Sequence, residues 1–141
     1  GYCYVIASIP TPLEKDIYNA VESYERIEPK TIQTTFAFRK GGFDGESKEM
    51  KPVGYVGDDG SNAIWGMQFI WPIKADYRIV YLDEAYSQTI IGRQKRDFVW
   101  IMTRKPEIPE SEYQELVSVV ESLGYDVSKL RKVPQRWETT P

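Results

Sequence analysis

Ile32-Gln33-Thr34-Thr35-Phe36-Ala37-Phe38 sets Ile32, Thr34, Phe36 and Phe38 on one face. Period-two alternation of this kind marks a strand with one buried side. The run stops at Lys40-Gly41-Gly42, where glycine permits a tight reversal. The same pattern recurs in both directions along the chain. Downstream, Met50 to Val56 closes at Gly57-Asp58-Asp59-Gly60, and Ala63 to Trp71 places Ala63, Trp65, Met67, Phe69 and Trp71 together. Tyr77, Ile79 and Tyr81 then alternate with Arg78, Val80 and Leu82 up to Asp83-Glu84. Tyr86 to Gly92 and Phe98 to Arg104 follow, and upstream lie Tyr2 to Ala7 and Tyr18 to Arg26. Eight strands are predicted.

Pro109 to Leu123 breaks the pattern. Tyr113, Leu116, Val117, Val120 and Leu123 fall at helical spacing, with Pro109 suited to the first turn and Gly124 to the stop. Asp126 is placed to cap a short helical turn through Leu130, ahead of a brief strand near Val133. Consecutive strands joined by short turns predict an all-β, eight-stranded antiparallel up-and-down barrel over residues 1–141, a single domain. Closure removes the exposed sheet edges, and one C-terminal amphipathic helix docks on the outside. A barrel of this size is either filled by its side chains or holds one small ligand.

Composition narrows the chemistry. The chain has 141 residues, ten Tyr, five Phe and four Trp, an enrichment that suits pleated surfaces. Net charge is −3, and no basic run supplies the field a nucleic-acid binder needs; no nucleic-acid partner is expected. Arg93 to Arg96 reads as an exposed hairpin tip. Histidine is absent, which removes the usual general base, the commonest zinc ligand and a proximal haem ligand. Neither cofactor nor metal is expected. Cys3 is the single cysteine. No stretch reaches the roughly 18 apolar residues of a spanning helix. The opening Gly1-Tyr2-Cys3-Tyr4 fits a cytosolic chain or one whose targeting segment has been removed.

Three stretches resemble a known family. Gly1-Tyr2-Cys3-Tyr4-Val5-Ile6-Ala7-Ser8 is similar to the Gly-x-Trp-Tyr-x-Ile-Ala opening strand of lipocalins. Leu82-Asp83-Glu84-Ala85-Tyr86 resembles their second motif, and Trp100-Ile101-Met102-Thr103-Arg104 the third. The match looks nearest to the bacterial outer-membrane lipoprotein group, on the apolipoprotein D-like branch. The resemblance implies a calyx that carries small hydrophobic molecules, such as a fatty acid or lysophospholipid, and a carrier rather than an enzyme. It also implies a place in the periplasm or on the periplasmic face of the outer membrane. Membrane contact would come only through a lipid anchor upstream, and a homodimer is one form of partner.

The sequence departs from the family at Cys3, where a tryptophan packs the closed end beneath the motif-three arginine. A thiol in place of indole leaves a void and forfeits a cation–π contact of about 0.5–2 kcal/mol. Arg104 is therefore predicted to lose its stacking partner, with Trp137 as a candidate replacement. An inert buried thiol is the expected state of Cys3.

The family pattern points several rows into the calyx. These are Ala20, Glu22 and Tyr24; Ile32, Thr34, Phe36 and Phe38; Trp65, Met67 and Phe69; Tyr77, Ile79 and Tyr81; Gln88 and Ile90; and Phe98, Trp100 and Met102. Such rows fit an apolar ligand pocket with a few placed polar groups; a solid core is the competing reading. Glu22 is the unusual member, because an unpartnered carboxylate among apolar groups is costly. Tyrosine hydroxyls and Gln88 are its candidate partners, and a one-residue register shift would instead place it in solvent. In the loop from Ser8 to Asp16, Pro10 and Pro12 restrict the backbone, and Ile9, Leu13 and Ile17 are candidate lid contacts. An isomerase or other small-ligand enzyme using Glu22 or Cys3 is the alternative function.

Overall fold

A computed structural model describes residues 2–11, 15–58, 60–70 and 73–137, the side chains at 69, 70 and 73–75 excepted. The wall is built from β1 (Tyr2–Ile9), β2 (Ile17–Glu28), β3 (Thr31–Lys40), β4 (Glu46–Met50), β5 (Val53–Val56), β6 (Ile64–Ile70), β7 (Ile73–Leu82), β8 (Gln88–Gly92) and β9 (Val99–Thr103). Each strand pairs antiparallel with the next, except that β4 and β5 both pair with β3 and share one position in the wall. Pairing of β9 with β1, from Tyr4–Thr103 to Ile9–Val99, closes the sheet. The result is a closed eight-stranded antiparallel barrel, with the helix α1 (Glu110–Ser122) outside it. The strand expected from Met50 to Val56 begins earlier, at Glu46, and breaks at Lys51-Pro52. Proline has no N–H for the ladder, and the wall is bridged there by Thr34 N–H donating to the Pro52 carbonyl at 3.0 Å.

Pro109 precedes the first turn of α1, and Gly124 ends it with φ +95°. Gly124 N–H reaches Glu121 O at 3.0 Å and Tyr125 N–H reaches Val120 O at 3.4 Å, the paired closing bonds of a glycine-terminated helix. Leu116 and Val120 are buried against Ile6, Ala7 and Ile9 of β1, Ile90 of β8, and Val99 and Ile101 of β9. The helix thus covers the seam where the barrel closes. Ile9 belongs to this outer cluster, so its expected place as a lid contact is corrected, whereas Ile17 does face the interior. Leu13 lies outside the described residues.

Past a short 3-10 helix (Val127–Lys129), β10 (Arg131–Lys132) pairs with Ala7 and Ser8 of β1. The β1–β2 ladder extends only over Tyr2 to Tyr4, and the chain after β10 bridges the rest. Asn19 holds that bridge. Its N–H donates to Pro134 O (2.9 Å), its Nδ2 donates to Arg136 O (2.9 Å), and its Oδ1 accepts from Arg136 N–H (2.7 Å). Its φ of +50° is a conformation asparagine tolerates better than most residues. Asn19→Ala, which loses both side-chain bonds and that tolerance, is expected to destabilise the barrel by about 1–3 kcal/mol. Urea denaturation with an unchanged m-value is the check.

Candidate functional site

The interior is assembled from the inward positions of every wall strand. Ala20, Phe36, Phe38, Trp65, Met67, Tyr77 and Met102 are buried in one cluster, with Tyr24, Ile32, Ile79 and Trp100 packed against it. Rings dominate the centre. Trp65 stacks on Tyr77 at 5.4 Å, Tyr77 lies 6.5 Å from Trp100, and Tyr24 meets Trp65 edge-on at 6.3 Å. Gly54 makes room for this column, since a Cβ there would sit 3.0 Å from the Trp65 ring.

Glu22 is buried inside the barrel, directly across from Cys3 in the β1–β2 ladder. Tyr77 donates its hydroxyl to Glu22 Oε1 at 3.2 Å, and the Tyr24 and Tyr77 hydroxyls are 2.8 Å apart. Because the Tyr77 proton points to the carboxylate, Tyr24 donates to Tyr77, giving a relay from Tyr24 through Tyr77 to Glu22. Burial first, and then the Glu22 charge, push both phenols well above their ordinary 10. Both are acids whose folded-state pKa exceeds the unfolded one. Their contribution to stability is therefore intact below pH 10 and declines as pH rises through and above it. Ultraviolet titration is expected to leave these two phenols protonated until the barrel unfolds in alkali.

Other expected positions fall elsewhere. Tyr81 and Ile90 are corrected to the outer cluster under α1. A bulge at Val80 turns Tyr81 outward, opposite Ile90, while Ile91 faces inward opposite Ile79. Gln88 borders the interior cavity, but its amide donates to Glu112 Oε2 (3.1 Å) and not to Glu22. Phe98 precedes β9 and lies beneath the Arg93 guanidinium, 5.5 Å from its centroid. Thr34 is fully buried, and the side chain of Phe69 lies outside the described residues. Val5, Ile91, Met50, Val56 and Val133 join the interior. Ile91 lies beyond strict alternation, and Val133 comes from the bridging segment, for which periodicity gives no signal.

Two of the inward rings, Tyr77 at 8% and Trp65 at 9% exposed, border a void. A cavity of about 180 Å³ is walled by Cys3, Tyr24, Trp65, Tyr77, Ile79 and Ile91, and reaches the surface at Leu82, Tyr86 and Arg104. A larger hollow of about 1210 Å³ lies on the outer wall by Tyr2, Asn19, Phe43 and Trp137, but it is open to solvent and lies outside the barrel.

Arg104 donates to the carbonyls of Tyr86 (Nε, 3.2 Å) and Tyr2 (Nη1, 3.3 Å). Trp137 does not replace the missing indole; it packs edge-on against Tyr4 at 5.6 Å on the outer wall. Burial raises the Cys3 thiol pKa above its ordinary value, opposed by Arg104 and reinforced by Glu22. The thiol is accordingly protonated at neutral pH and a poor nucleophile.

The profile of the family described as "Lipocalin-like domain" matches residues 1–135. This chain is a lipocalin. Among its relatives, temperature-induced lipocalin-1 of Arabidopsis thaliana is 39% identical over 66 residues, covering 47% of this chain and 36% of the relative. The outer membrane lipoprotein Blc of Escherichia coli is 33% identical over 69 residues, covering 49% of this chain and 39% of the relative. The matched stretch is thus well under half the length of either. Lobster apocrustacyanin A1 superposes with a TM-score of 0.75 at 14% identity, over 97% of this lipocalin and 77% of that chain; the shared property is the fold.

Proposed function

We propose that this lipocalin carries a small apolar ligand in its barrel, a fatty acid or lysophospholipid, and acts as a carrier rather than an enzyme. The observation that carries this reading is the void bordered by the rings of Tyr24, Trp65 and Tyr77. A cavity of roughly 150 Å³ with apolar walls stays dry and takes a benzene-sized guest. The 180 Å³ beside Trp65 and Tyr77 is of that size and suits one end of an acyl chain. Each CH₂ taken from water contributes about 0.8 kcal/mol. The alternative, an enzyme using Glu22 or Cys3, has less support, because the thiol is held protonated and Glu22 is partnered by phenols themselves held neutral.

The likeness to outer membrane lipoprotein Blc supports placing the protein in the bacterial outer-membrane branch, in the periplasm or on the periplasmic face of the outer membrane. The test is solvent extraction of the purified protein with mass spectrometry, alongside tryptophan quenching by fatty acids of increasing length. Co-purified lipid and quenching that tightens with chain length are expected. A protein that extracts empty and ignores every acyl chain would sink the reading.

A further inference from the structure

We propose that the inner end of the carried chain bears a hydroxyl group, which donates a hydrogen bond to the Tyr24 oxygen in the wall of the void. This rests on the carrier reading and adds the chemistry of the buried terminus. The void lies towards the closed end of the barrel, where β1 begins and β9 stops. Arg104 straps that end through its bonds to the carbonyls of Tyr86 and Tyr2. Whatever part of a ligand lodges in the void is therefore the part carried deepest.

Part of the wall there is polar. Tyr24, Tyr77 and Cys3 border the void, with Glu22 opposite Cys3 in the ladder and bonded to Tyr77. The direction of the protons decides what this wall recognises. Tyr77 gives its proton to Glu22 at 3.2 Å, and Tyr24 gives its proton to Tyr77 at 2.8 Å. Met102 Sδ, 3.7 Å from the Tyr24 oxygen, is only a weak acceptor and does not reverse the relay. A phenol whose proton is committed in this way meets a guest with its oxygen lone pairs, and successive bonds polarise one another. Tyr24 is thus an acceptor backed by the carboxylate at the far end of the relay. A methyl terminus offers that oxygen nothing, and a carboxylate terminus brings a second negative charge towards Glu22. Thr34 faces Tyr24 across the β2–β3 ladder, fully buried, and its Oγ1 has no partner among the described residues. A hydroxyl both donates and accepts, which suits these two neighbours together.

Palmitate, ω-hydroxypalmitate and hexadecanedioate share one chain and differ at its terminus, and binding of each is read by tryptophan fluorescence. The unmodified protein is expected to bind ω-hydroxypalmitate about tenfold more tightly than palmitate, the scale of one buried hydrogen bond. Hexadecanedioate is expected to bind more weakly than either. Tyr24→Phe keeps the ring that meets Trp65 edge-on and removes only the hydroxyl. In that variant the preference for ω-hydroxypalmitate is expected to vanish while palmitate still binds. Equal binding of palmitate and ω-hydroxypalmitate by the unmodified protein, or a preference that survives in Tyr24→Phe, overturns this proposal and leaves the carrier reading standing. Tightest binding of hexadecanedioate does the same, since it makes Arg104 the receiving group. If none of the three chains binds the unmodified protein, the carrier reading falls as well.

Discussion

Ile101→Ala is expected to destabilise the barrel by about 3 kcal/mol, within the roughly 2–5 kcal/mol typical of truncating a buried aliphatic side chain. Ile101 is fully buried where three elements meet: it pairs with Ala7 across the seam, with Ile90 on the other side, and lies under Leu116 and Val120. The neighbours belong to a hydrogen-bonded ladder and a docked helix, so they can collapse little into the space left behind. For a chain of this length, 3 kcal/mol corresponds to a Tm about 10 °C lower. The control is Ile27→Ala: Ile27 is exposed near the end of β2, and its truncation should stay within about 0.5 kcal/mol. Equal losses at the two positions in thermal melts would show that the seam cluster is not the stabilising core.

Tyr77→Phe is expected to cost about 2 kcal/mol at neutral pH. The hydroxyl both donates to Glu22 and accepts from Tyr24, so its removal weakens the satisfaction of a buried carboxylate and leaves the Tyr24 proton to redirect. Losing one partner of a buried polar group typically costs about 1–3 kcal/mol. The ring, its stacking on Trp65 and the cavity wall all remain. The deficit should therefore shrink in Glu22→Gln, where the charge needing that donor is gone. A double-mutant cycle measures the coupling; additive losses would mean that Tyr77 and Glu22 do not act together.

The barrel and its outer helix were legible because the signals were local: alternating runs ended by glycine, then helical spacing framed by Pro109 and Gly124. Most inward rows followed from the same alternation once the family resemblance had fixed which face was inner. What alternation misplaced lies at breaks in the ladder. The bulge beside Tyr81 turned Tyr81 outward, opposite Ile90, and the irregularity between Val5 and Ala7 sends both Ile6 and Ala7 to the helix side. A bulge adds one residue to one strand, and its cause is tertiary rather than local. The partner of Glu22 was anticipated as a tyrosine, but Gln88 was drawn away by Glu112, a residue 24 positions distant. The bridge through Asn19 joins residues 117 apart and carries no short-range signature. The void beside Cys3 was foreshadowed by the thiol standing where the family has indole.

The helix covers the closing seam of β1, β8 and β9, whereas the facing flank carries the interruption at Lys51-Pro52 between β4 and β5. One side of the vessel is braced and the other is jointed. The jointed flank has a ladder break and lies away from the helix, so of the two sides it loses the fewer packed contacts if the wall spreads.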